Sequence, residues 1–566
     1  MVRRCVGKLK ALDDSVRNAP LGGTIGIGHT RWATHGEPTE QNAHPHVDCR
    51  QQLAIVHNGI IENFQALKRL LTSEGHVFAS DTDSEVIAHL IEKYHTNGLT
   101  NAVRQAVRHL EGQYAFVAVS ESNPDELVAA RGGSPLLVGL GQGENFLASD
   151  LPALLQHTRS YLHLEDGELA TVRRDGVTVT DFDGNAVERK PRTSNVQVSA
   201  LDRNGFEHYM LKEIYEQPDV LDDLIKRSIT EENEVRLAGL DLTNQYLARV
   251  SRILIQACGT SWHAGLVGKR YLEMLAGVHT EVDISSEFRY RNPVLEGDTL
   301  VIGISQSGET ADTLAGIRQA KSKFVKVLSL CNVPTSTIAR ESDAVLDMHA
   351  GPEIGVASTK AYTAELALLY LLTLHLARVR WVMDRATQQK HVEALKTIPA
   401  LVDRMLRGSE SIKQCADRFV QSEHFVFLGR GANYPTALEG ALKLKEISYI
   451  HATGYPAGEF KHGPIALVEK GLPVVCLCTQ TSVYSKMLSN IHEVQARKGH
   501  IIAVATEGDQ EVPKLADICL FIPPCPEELS PILSVVPLQL LAYYIALARG
   551  CDVDKPRNLA KSVTVE

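Results

Sequence analysis

The chain has 566 residues, 44% of them hydrophobic and 22% charged, and a net charge of −10 at pH 7. This length exceeds what one hydrophobic core supports and predicts two to four domains. The negative charge argues against a nucleic-acid partner or an anionic membrane surface. The ten cysteines form no C-x-x-C pair and no metal-like spacing with histidine, so we predict no metal site and a reducing compartment.

No apolar segment of signal-peptide length stands at the N-terminus, and the apolar run at 366–376 is too short to span a bilayer. His375 also interrupts this run. We therefore expect a buried helix there, no membrane partner and a cytoplasmic protein.

Residues 1–192 are dense in short strand patterns with few helices between them, which predicts an α+β layered domain. The predicted strands are 24–27, 53–56, 114–119, 127–130, 136–138 and 169–172, and the predicted helices are 63–73 and 84–94. A polar segment at 193–208 is predicted to be a linker.

From residue 209 onward, β-branched runs alternate with helical patterns, which is typical of parallel α/β units. This half also resembles itself, because 425–431 opens a helix as 254–260 does, and 473–482 resembles the strand and turn around residue 305. We predict two lobes of one fold, 209–390 and 391–550, and a C-terminal tail, 551–566. The second lobe lacks the full hydroxyl-rich turn of the first.

That turn is Ser-Gln-Ser-Gly-Glu-Thr at 305–310, which follows the apolar strand pattern 300–304 and leads into a helix predicted from Glu309. Its hydroxyls, its backbone N–H groups and the positive end of the helix dipole converge where an anion is well held. Cys-Gly-Thr-Ser at 258–261 repeats the design after 253–255. For one motif alone, a strand–helix turn with a capping serine is the alternative. Two such turns after neighbouring parallel strands predict a site for a phosphate and a sugar.

A second group of candidates lies on the helical pattern 438–447, where Glu439, Lys443 and Glu446 share one face. A solvent-exposed row of ion pairs is the simpler interpretation of this helix by itself. His462 follows on a loop bounded by glycine and proline. A carboxylate base and a nearby acid–base group are what opening a sugar ring and moving a proton between adjacent carbons require.

The N-terminal half offers candidates for binding an amino acid. Arg31 can hold a carboxylate with its planar fork, and the Asn58 amide beside the Gly59 N–H can form an oxyanion hole. Asn-Gly is also the commonest hairpin turn, which is the competing interpretation. Asp83 can cap a helix or bind an ammonium group.

Seven motifs in order closely resemble the glutamine–fructose-6-phosphate aminotransferase (isomerising) family, and the resemblance extends over essentially the whole chain. They are His-Thr-Arg-Trp-Ala-Thr-His-Gly-Glu-Pro (29–38), Val-His-Asn-Gly-Ile-Ile-Glu-Asn (56–63), Ala-Cys-Gly-Thr-Ser (257–261), Ser-Gln-Ser-Gly-Glu-Thr-Ala-Asp-Thr (305–313), Glu-Ile-Gly-Val-Ala-Ser-Thr-Lys-Ala (353–361), Leu-Glu-Gly-Ala-Leu-Lys-Leu-Lys-Glu-Ile (438–447) and Pro-Arg-Asn-Leu-Ala-Lys-Ser-Val-Thr-Val-Glu (556–566).

The resemblance implies an N-terminal-nucleophile glutaminase domain followed by two sugar-isomerase (SIS) lobes. Ammonia released from glutamine would pass through an internal channel to fructose 6-phosphate and give glucosamine 6-phosphate, without a cofactor or a metal and in a homodimer. The residues that would bind glutamine are Arg31, Asn58, Gly59 and Asp83, with Trp32 near the channel mouth. The residues that would surround the sugar phosphate are Cys258, Thr260, Ser261, Ser305, Gln306, Ser307, Thr310, Val356 and Ala560.

The resemblance also implies catalytic roles in the isomerase half. Glu446, on the face it shares with Glu439 and Lys443, would move the proton between the first two sugar carbons. His462 of a neighbouring subunit would assist ring opening. Lys561 would form an imine with the open-chain ketose, and a lysine desolvated in a pocket is a suitable nucleophile. Lys443 is the competing candidate for that imine.

The family's glutaminase begins with a cysteine whose thiol attacks the amide, whereas this sequence begins Met-Val-Arg-Arg-Cys and joins the family pattern a few dozen residues in. No N-terminal nucleophile is therefore expected in the sequence as written, and its glutaminase half is expected to be inactive. We favour a truncated start, because the glutamine-binding candidates are in place. The alternatives are an ammonia-dependent or isomerase-only enzyme and, more remotely, a sugar-phosphate-sensing protein.

Overall fold

The structure is a computed structural model that describes residues 1–194 and 202–564. It divides into two compact units, Met1–Leu201 with Val563–Glu566, and Asp202–Ser562. Residues 195–201 of the predicted linker region lie outside the described residues.

The first unit contains short helices and two antiparallel sheets. Its helices are α1 (Leu9–Asn18), α2 (Phe64–Ser73), α3 (Glu85–Tyr94) and α4 (Leu99–Val107), and a 3-10 helix spans Leu151–Ala153. Its strands are β1 (His46–Val47), β2 (Leu53–Ile61), β3 (Gly112–Ser120), β4 (Asn123–Gly132), β5 (Leu137–Leu140), β6 (Asn145–Ala148), β7 (Ser160–His163), β8 (Glu168–Arg173), β9 (Gly176–Asp181) and β10 (Arg192–Thr193).

Alternating apolar residues divide this unit into layers. The six-stranded sheet has the order β1-β2-β3-β4-β8-β9, and the four-stranded sheet has the order β10-β7-β5-β6. In β3, Phe116 and Ala118 pack in the core that includes residues of α2, α3 and α4, whereas Ala115 and Val117 face the core shared with the second sheet. The predicted α+β layered fold is confirmed.

Two elements of this unit differ from the prediction. Residues 24–27 lie outside regular secondary structure, because no sheet among the described residues includes them as a strand. Helix α4 was not predicted, although it buries Leu99, Ala102, Val103 and Ala106 against the core. It is only 9 residues long, and the i, i+3, i+4 spacing of these apolar residues was the signal that could have revealed it.

The second unit alternates helices with parallel strands. Its helices are α5 (Tyr209–Tyr215), α6 (Gln217–Ser228), α7 (Asn244–Arg249), α8 (Gly259–Ala276), α9 (Ser285–Phe288), α10 (Ala311–Ser322), α11 (Thr337–Glu341), α12 (Lys360–Val379), α13 (Arg385–Arg407), α14 (Glu410–Asp417), α15 (Asn433–Ser448), α16 (Tyr484–Gln495), α17 (Val512–Leu515) and α18 (Ser530–Ala548). Its strands are β11 (Arg252–Ala257), β12 (His279–Ile284), β13 (Thr299–Ser305), β14 (Lys326–Cys331), β15 (Ala344–Asp347), β16 (His424–Gly429), β17 (His451–Pro456), β18 (Pro473–Cys478), β19 (His500–Thr506) and β20 (Ile518–Ile522).

The strands form two five-stranded sheets with the same topology, β12-β11-β13-β14-β15 and β17-β16-β18-β19-β20. All their pairings are parallel, so the predicted pair of α/β lobes is confirmed. Helix α13 crosses the predicted lobe boundary at 390–391 without a break. The division into 209–390 and 391–550 stays a prediction.

Both lobes share one apolar core, in which α12 and α18 are the most deeply buried helices. The predicted buried helix at 366–376 lies within α12 and is confirmed. The segment Glu527–Ala548 is long and apolar enough to cross a membrane, but 83% of its apolar window is buried inside the protein. It is therefore a core helix, one that the sequence analysis did not single out.

Candidate functional site

The hydroxyl-rich turn of the first lobe lies between β13 and α10. Helix α10 begins at Ala311, two residues later than predicted, and the hydroxyl of its N-cap residue, Thr310, lies 2.9 Å from the Ser305 hydroxyl instead of capping the helix. The Gly308 N–H donates to Ser305 Oγ at 3.0 Å. The Gln306 carbonyl accepts a hydrogen bond from the N–H of Asn332 at 3.2 Å. These hydrogen bonds within the turn and from Asn332 fix the positions of the Ser305 and Thr310 hydroxyls.

Gly308 is required at this turn for two reasons. Its φ is +66°, in the left-handed region, and an added Cβ would lie 1.9 Å from Ser336 Oγ. One residue later, the Glu309 N–H donates to Ser307 Oγ at 3.2 Å. The close approach of the 336 loop thus fixes the position of the hydroxyl-bearing turn.

The second hydroxyl-bearing motif follows the adjacent strand. In the parallel pair β11–β13, Ala257 lies opposite Ile304, so the two motifs end at the same edge of the sheet, as predicted. Helix α8 already begins at Gly259, which places Thr260 and Ser261 in its first turn. Cys258 precedes them, and burial raises the pKa of its thiol.

The Glu439–Lys443–Glu446 row on α15 is buried, so the interpretation as a solvent-exposed row is wrong. The Lys443 ammonium lies 2.6 Å from Glu446 Oε2 and 3.5 Å from Glu439 Oε1. It also donates to Thr260 Oγ1 at 3.1 Å. The Lys443 ammonium thus lies among two carboxylates and a hydroxyl, and the row of the second lobe reaches the first turn of α8 in the first lobe.

The charges of this row control its protonation. Burial by itself would lower the pKa of Lys443, but the carboxylates of Glu446 and Glu439 outweigh burial and raise it. Glu439 is fully buried and accepts from His263 Nδ1 at 2.7 Å and from the Thr260 hydroxyl at 3.1 Å. The side chain of Glu446 is 21% exposed, so it is the carboxylate of this row that solvent or a substrate can reach.

Glu365 directly precedes the apolar run at 366–376 and was not among the residues predicted for the site. It is fully buried on α12, and Ser261 Oγ donates to its Oε1 at 2.8 Å. Burial raises the pKa of Glu365 to about 8. A carboxyl group at the start of an otherwise apolar helix was the signal that could have identified it.

The C-terminal tail packs against the loop that precedes α12. Lys561 Nζ donates to Glu353 Oε2 at 2.7 Å and to the Gly355 carbonyl at 2.8 Å. The Val356 N–H donates to the Asp554 carbonyl at 3.0 Å. Lys561 therefore lies against the loop that contains Val356.

The environment of Lys561 differs from the expected desolvated pocket. Its side chain is 25% exposed and is paired with the fully buried carboxylate of Glu353. Burial would raise the pKa of Glu353, but the Lys561 charge and hydrogen bond lower it. Ala560, next to the lysine, is half-buried.

Glu213 on α5 is a further carboxyl group at this loop that the sequence analysis missed. It accepts from the Gly355 N–H at 3.1 Å. Burial, followed by the charge of Glu353, raises the pKa of Glu213.

His462 stands apart from this cluster. It ends the 3-10 helix Phe460–His462, its side chain is exposed, and within the described part of the chain its imidazole makes no hydrogen bond. The structure of the single chain does not bring it to Glu446.

In the first unit, Asn58 and Gly59 lie inside β2 and are not a hairpin turn, so that interpretation is wrong. Gly59 has a φ of +128°, and an added Cβ would lie 2.0 Å from the carbonyl oxygen of Gln113. The Asn58 Oδ1 atom lies 2.8 Å from His29 Nε2. The close approach of β3 therefore explains why position 59 requires a glycine, and Asn58 is its neighbour in β2.

Arg31 and Asp83 are both engaged with backbone groups. The Arg31 guanidinium donates to the carbonyls of His35, Gly36 and Glu37, at 3.0 Å for Gly36. Asp83 Oδ2 accepts from the Ile61 N–H at 2.8 Å, and Ser84 instead occupies the N-cap position of α3. Burial raises the pKa of Asp83.

Trp32, the remaining candidate in the first unit, is 41% exposed. The exposed indole of Trp32 is a large apolar surface next to Arg31 in the sequence.

Two family models match the chain. The SIS domain matches residues 246–375 and 418–549, one match in each lobe, and the glutamine amidotransferase domain matches residues 29–156. The C-terminal domain of glucosamine-fructose-6-phosphate aminotransferase from Francisella tularensis is a similar solved structure. It has a TM-score of 0.60 and 43% identity, and the match covers 62% of this chain and 100% of that chain.

Two curated relatives match over nearly the full length. The glutamine–fructose-6-phosphate aminotransferase [isomerizing] of Chlorobaculum tepidum is 50% identical, covering 99% of this chain and 92% of that protein. The protein of the same name from Thermus thermophilus is 52% identical over the same shares. With both matched domains in the order that the seven motifs predict, the chain belongs to the glutamine–fructose-6-phosphate aminotransferase (isomerising) family.

Proposed function

We propose that the chain transfers the amide nitrogen of glutamine to fructose 6-phosphate and isomerises the product to glucosamine 6-phosphate, releasing glutamate, in the cytoplasm. The names of its relatives support this reaction. The observation that carries it is the docking of Lys561 on the 353–356 loop, beside a buried row of acid–base groups. A sensor that only binds a sugar phosphate has no use for such a lysine.

The hydroxyls of the two turns would hold the phosphate and the sugar. Ser305, Ser307 and Thr310 follow β13, and Thr260 and Ser261 follow the adjacent β11. Hydroxyl and N–H donors at a helix N-terminus stabilise a phosphate dianion without a lysine or arginine. Gln306, Cys258, Val356 and Ala560 would complete the pocket.

Lys561 would activate the substrate through its Nζ atom. The amine attacks C2 of the open-chain ketose, and water leaves as the imine forms. Lys443 is less suited to this role, because its ammonium is fully buried and held by two carboxylates and a hydroxyl. The negative charge of Glu353, which pairs with Lys561, also contributes to raising the pKa of Lys443. This electrostatic link between the two lysines supports one continuous site.

Glu446 would move the proton between C1 and C2. It is the partly exposed carboxylate of its row, whereas Glu439 is sealed between His263 and Thr260. Lys443 would position both carboxylates, and the remaining ring-opening step needs a separate acid–base group.

We further propose a homodimer in which His462 of the partner subunit supplies that group. The exposed position of His462 at the end of a 3-10 helix supports this role. In the first unit, Arg31, Asn58, Gly59 and Asp83 would bind glutamine, with Trp32 near the channel mouth. The amide of Asn58 would stabilise the oxyanion that forms on the glutamine carbonyl.

Borohydride trapping tests the assignment of Lys561. Reduction in the presence of fructose 6-phosphate should fix the sugar onto the peptide that contains Lys561. Lys561→Arg should abolish this adduct and lower the synthase rate with ammonia by several orders of magnitude, while sugar-phosphate binding remains. A label on Lys443, or no label at all, would contradict the proposal.

A further inference from the structure

Four side chains with metal-binding atoms meet in the first unit, and none of them is a glutamine-binding candidate. Cys49 lies in the turn between β1 and β2, His76 follows α2, and His89 and Glu92 lie on α3. One donor atom from each lies within 4.8 Å of all the others. Neither the resemblance nor the proposed reaction uses any of them.

The distances between the donor atoms match a tetrahedral metal site. The Cys49 Sγ atom lies 3.6 Å from His76 Nδ1 and 3.5 Å from His89 Nδ1. Glu92 Oε2 lies 2.9 Å from His76 Nδ1 and 3.2 Å from His89 Nδ1. Ordinary zinc bond lengths in a tetrahedron place sulfur and nitrogen about 3.5 Å apart and nitrogen and oxygen about 3.3 Å apart.

We propose that Cys49, His76, His89 and Glu92 form a structural Zn²⁺ site. One thiolate, one carboxylate and two neutral imidazoles give a ligand set whose charge balances that of the ion. Four protein ligands leave no position open for substrate, which is the arrangement of a structural zinc site.

The surroundings of the four ligands suit a metal ion. The His89 imidazole is 1% exposed, and its second nitrogen lies 3.5 Å from Glu85 Oε1 without a hydrogen bond, so a small movement would let this carboxylate orient a metal-bound histidine. Hydrogen bonds from the N–H groups of Ala79 and Ser80, each at 2.7 Å, hold that carboxylate. Cys49 lies in an exposed turn, which gives the ion a path of entry.

Without a metal, the ligands are held by weaker contacts. The Val77 N–H donates to Cys49 Sγ at 3.4 Å, and the Cys49 N–H donates to Glu92 Oε2 at 3.2 Å. Zn²⁺ binds the thiolate and the neutral imidazoles, so protons compete with the ion and binding should weaken as pH falls.

The ion would join three segments that are distant in sequence. These are the turn that leads into β2, which carries Asn58 and Gly59, the segment after α2, and helix α3, which directly follows Asp83 and Ser84. Zinc would thereby stabilise the part of the first unit that carries the glutamine-binding candidates.

Titration of Zn²⁺ into the chelator-treated full chain tests the site. We expect one zinc ion per chain, and Cys49→Ser should weaken binding at least about 100-fold by removing the thiolate. Cys5→Ser, which changes another accessible cysteine of the same unit, should leave binding unchanged. Absence of stoichiometric binding, or equal binding by Cys49→Ser and the unsubstituted chain, would overturn the proposal.

Two measurements on the unsubstituted chain keep the test independent of how the variants fold. Co²⁺ should give the absorption of a tetrahedral site with a thiolate-to-metal charge-transfer band. Zn²⁺ should also protect Cys49, but not Cys5, from alkylation by iodoacetamide. Equal protection of both cysteines, or a six-coordinate Co²⁺ spectrum, would contradict a site built on Cys49.

Discussion

The two lobes of the second unit have the same sheet order. They differ in the turn that follows the third strand of each lobe in chain order, which is β13 in the first lobe and β18 in the second. In the first lobe, β13 leads into hydroxyls that bond with each other and with the amides of their own turn, as Ser305 does with Thr310 and Gly308. In the second lobe, β18 leads into Thr-Gln-Thr-Ser at 479–482. There a carboxylate of the protein occupies the turn.

That carboxylate is Glu527. It accepts from the Ser482 N–H at 2.7 Å and from the Ser482 hydroxyl at 3.0 Å, and Arg270 of the first lobe donates to it at 2.7 Å. Burial would raise the pKa of Glu527, but these hydrogen bonds and the charge of Arg270 lower it. The second lobe has thus filled with its own acidic side chain the position where the first lobe would hold a substrate phosphate.

The core helices of the two lobes, α12 and α18, also differ in the polar groups that they bury. Helix α12 of the first lobe buries Glu365 beside Ser261, whereas α18 of the second lobe contains no Asp or Glu. The core helix of the first lobe therefore carries a buried carboxyl group that the core helix of the second lobe lacks, whereas α15 of the second lobe supplies the Glu439–Lys443–Glu446 row. The same topology therefore serves two purposes because of a few side chains at the strand ends.

The largest effect should come from removing one hydroxyl from the first-lobe turn. Ser307→Ala should weaken fructose 6-phosphate binding by about 1.5–3 kcal/mol, or about 10- to 150-fold, because a charge-assisted hydrogen bond to the phosphate is lost. Ser482→Ala in the second lobe should change this affinity little, because Ser482 already bonds to Glu527. Calorimetric titration measures both, and equal effects would remove the functional distinction between the lobes.

A smaller effect should follow from Glu365→Gln, and it should depend on pH. The pKa of Glu365 is raised to about 8 from 4.5, so the folded chain keeps a proton that the unfolded chain loses. The stability due to this proton is complete below about pH 4.5 and is lost as pH rises through about 8.

Gln cannot ionise, and its Oε1 still accepts from Ser261. The variant should therefore be more stable than the unsubstituted chain at about pH 9, whereas the two should differ little at about pH 4, as measured by denaturant unfolding. Glu511→Gln, at an exposed position, is the control and should show no such trend. A constant difference across pH would show that Glu365 is not protonated by burial.

The smallest effect should be a new site made by Glu527→Ala. Removing this carboxylate frees the Ser482 N–H and the Arg270 guanidinium, so inorganic phosphate should bind there weakly, with a Kd in the millimolar range, or about −4 kcal/mol. Phosphorus NMR with the first-lobe site saturated by fructose 6-phosphate would detect it. Glu528→Ala should create no such site, and failure of Glu527→Ala to bind phosphate would show that more than one side chain separates the lobes.

Local patterns in the sequence predicted much of this architecture. Apolar strand runs ending at Ser305 and at Cys258 are readable because strand periodicity and turn residues are short-range signals. The spacing of Glu439, Lys443 and Glu446 likewise placed them on one face of α15, as the structure confirms. The seven ordered motifs were sufficient to predict the family.

The burial of charged side chains and the identity of their contact partners could not be predicted from local patterns. The sequence could not show that Lys443 is sealed by Thr260 of the other lobe, because that contact joins residues 183 positions apart. The four zinc-ligand candidates were missed for the same reason, since three segments of the first unit bring them together and no short spacing records it.

By itself, the sequence determined the order of the domains, the periodicity of most strands and helices, and the residue types at the strand ends, because these depend on neighbours along the chain. Only the tertiary structure decided which charged residues are buried, which turn is closed by Glu527, and that Lys561 meets Glu353. Those outcomes depend on desolvation and on charges brought together from distant segments, and local sequence carries no record of either.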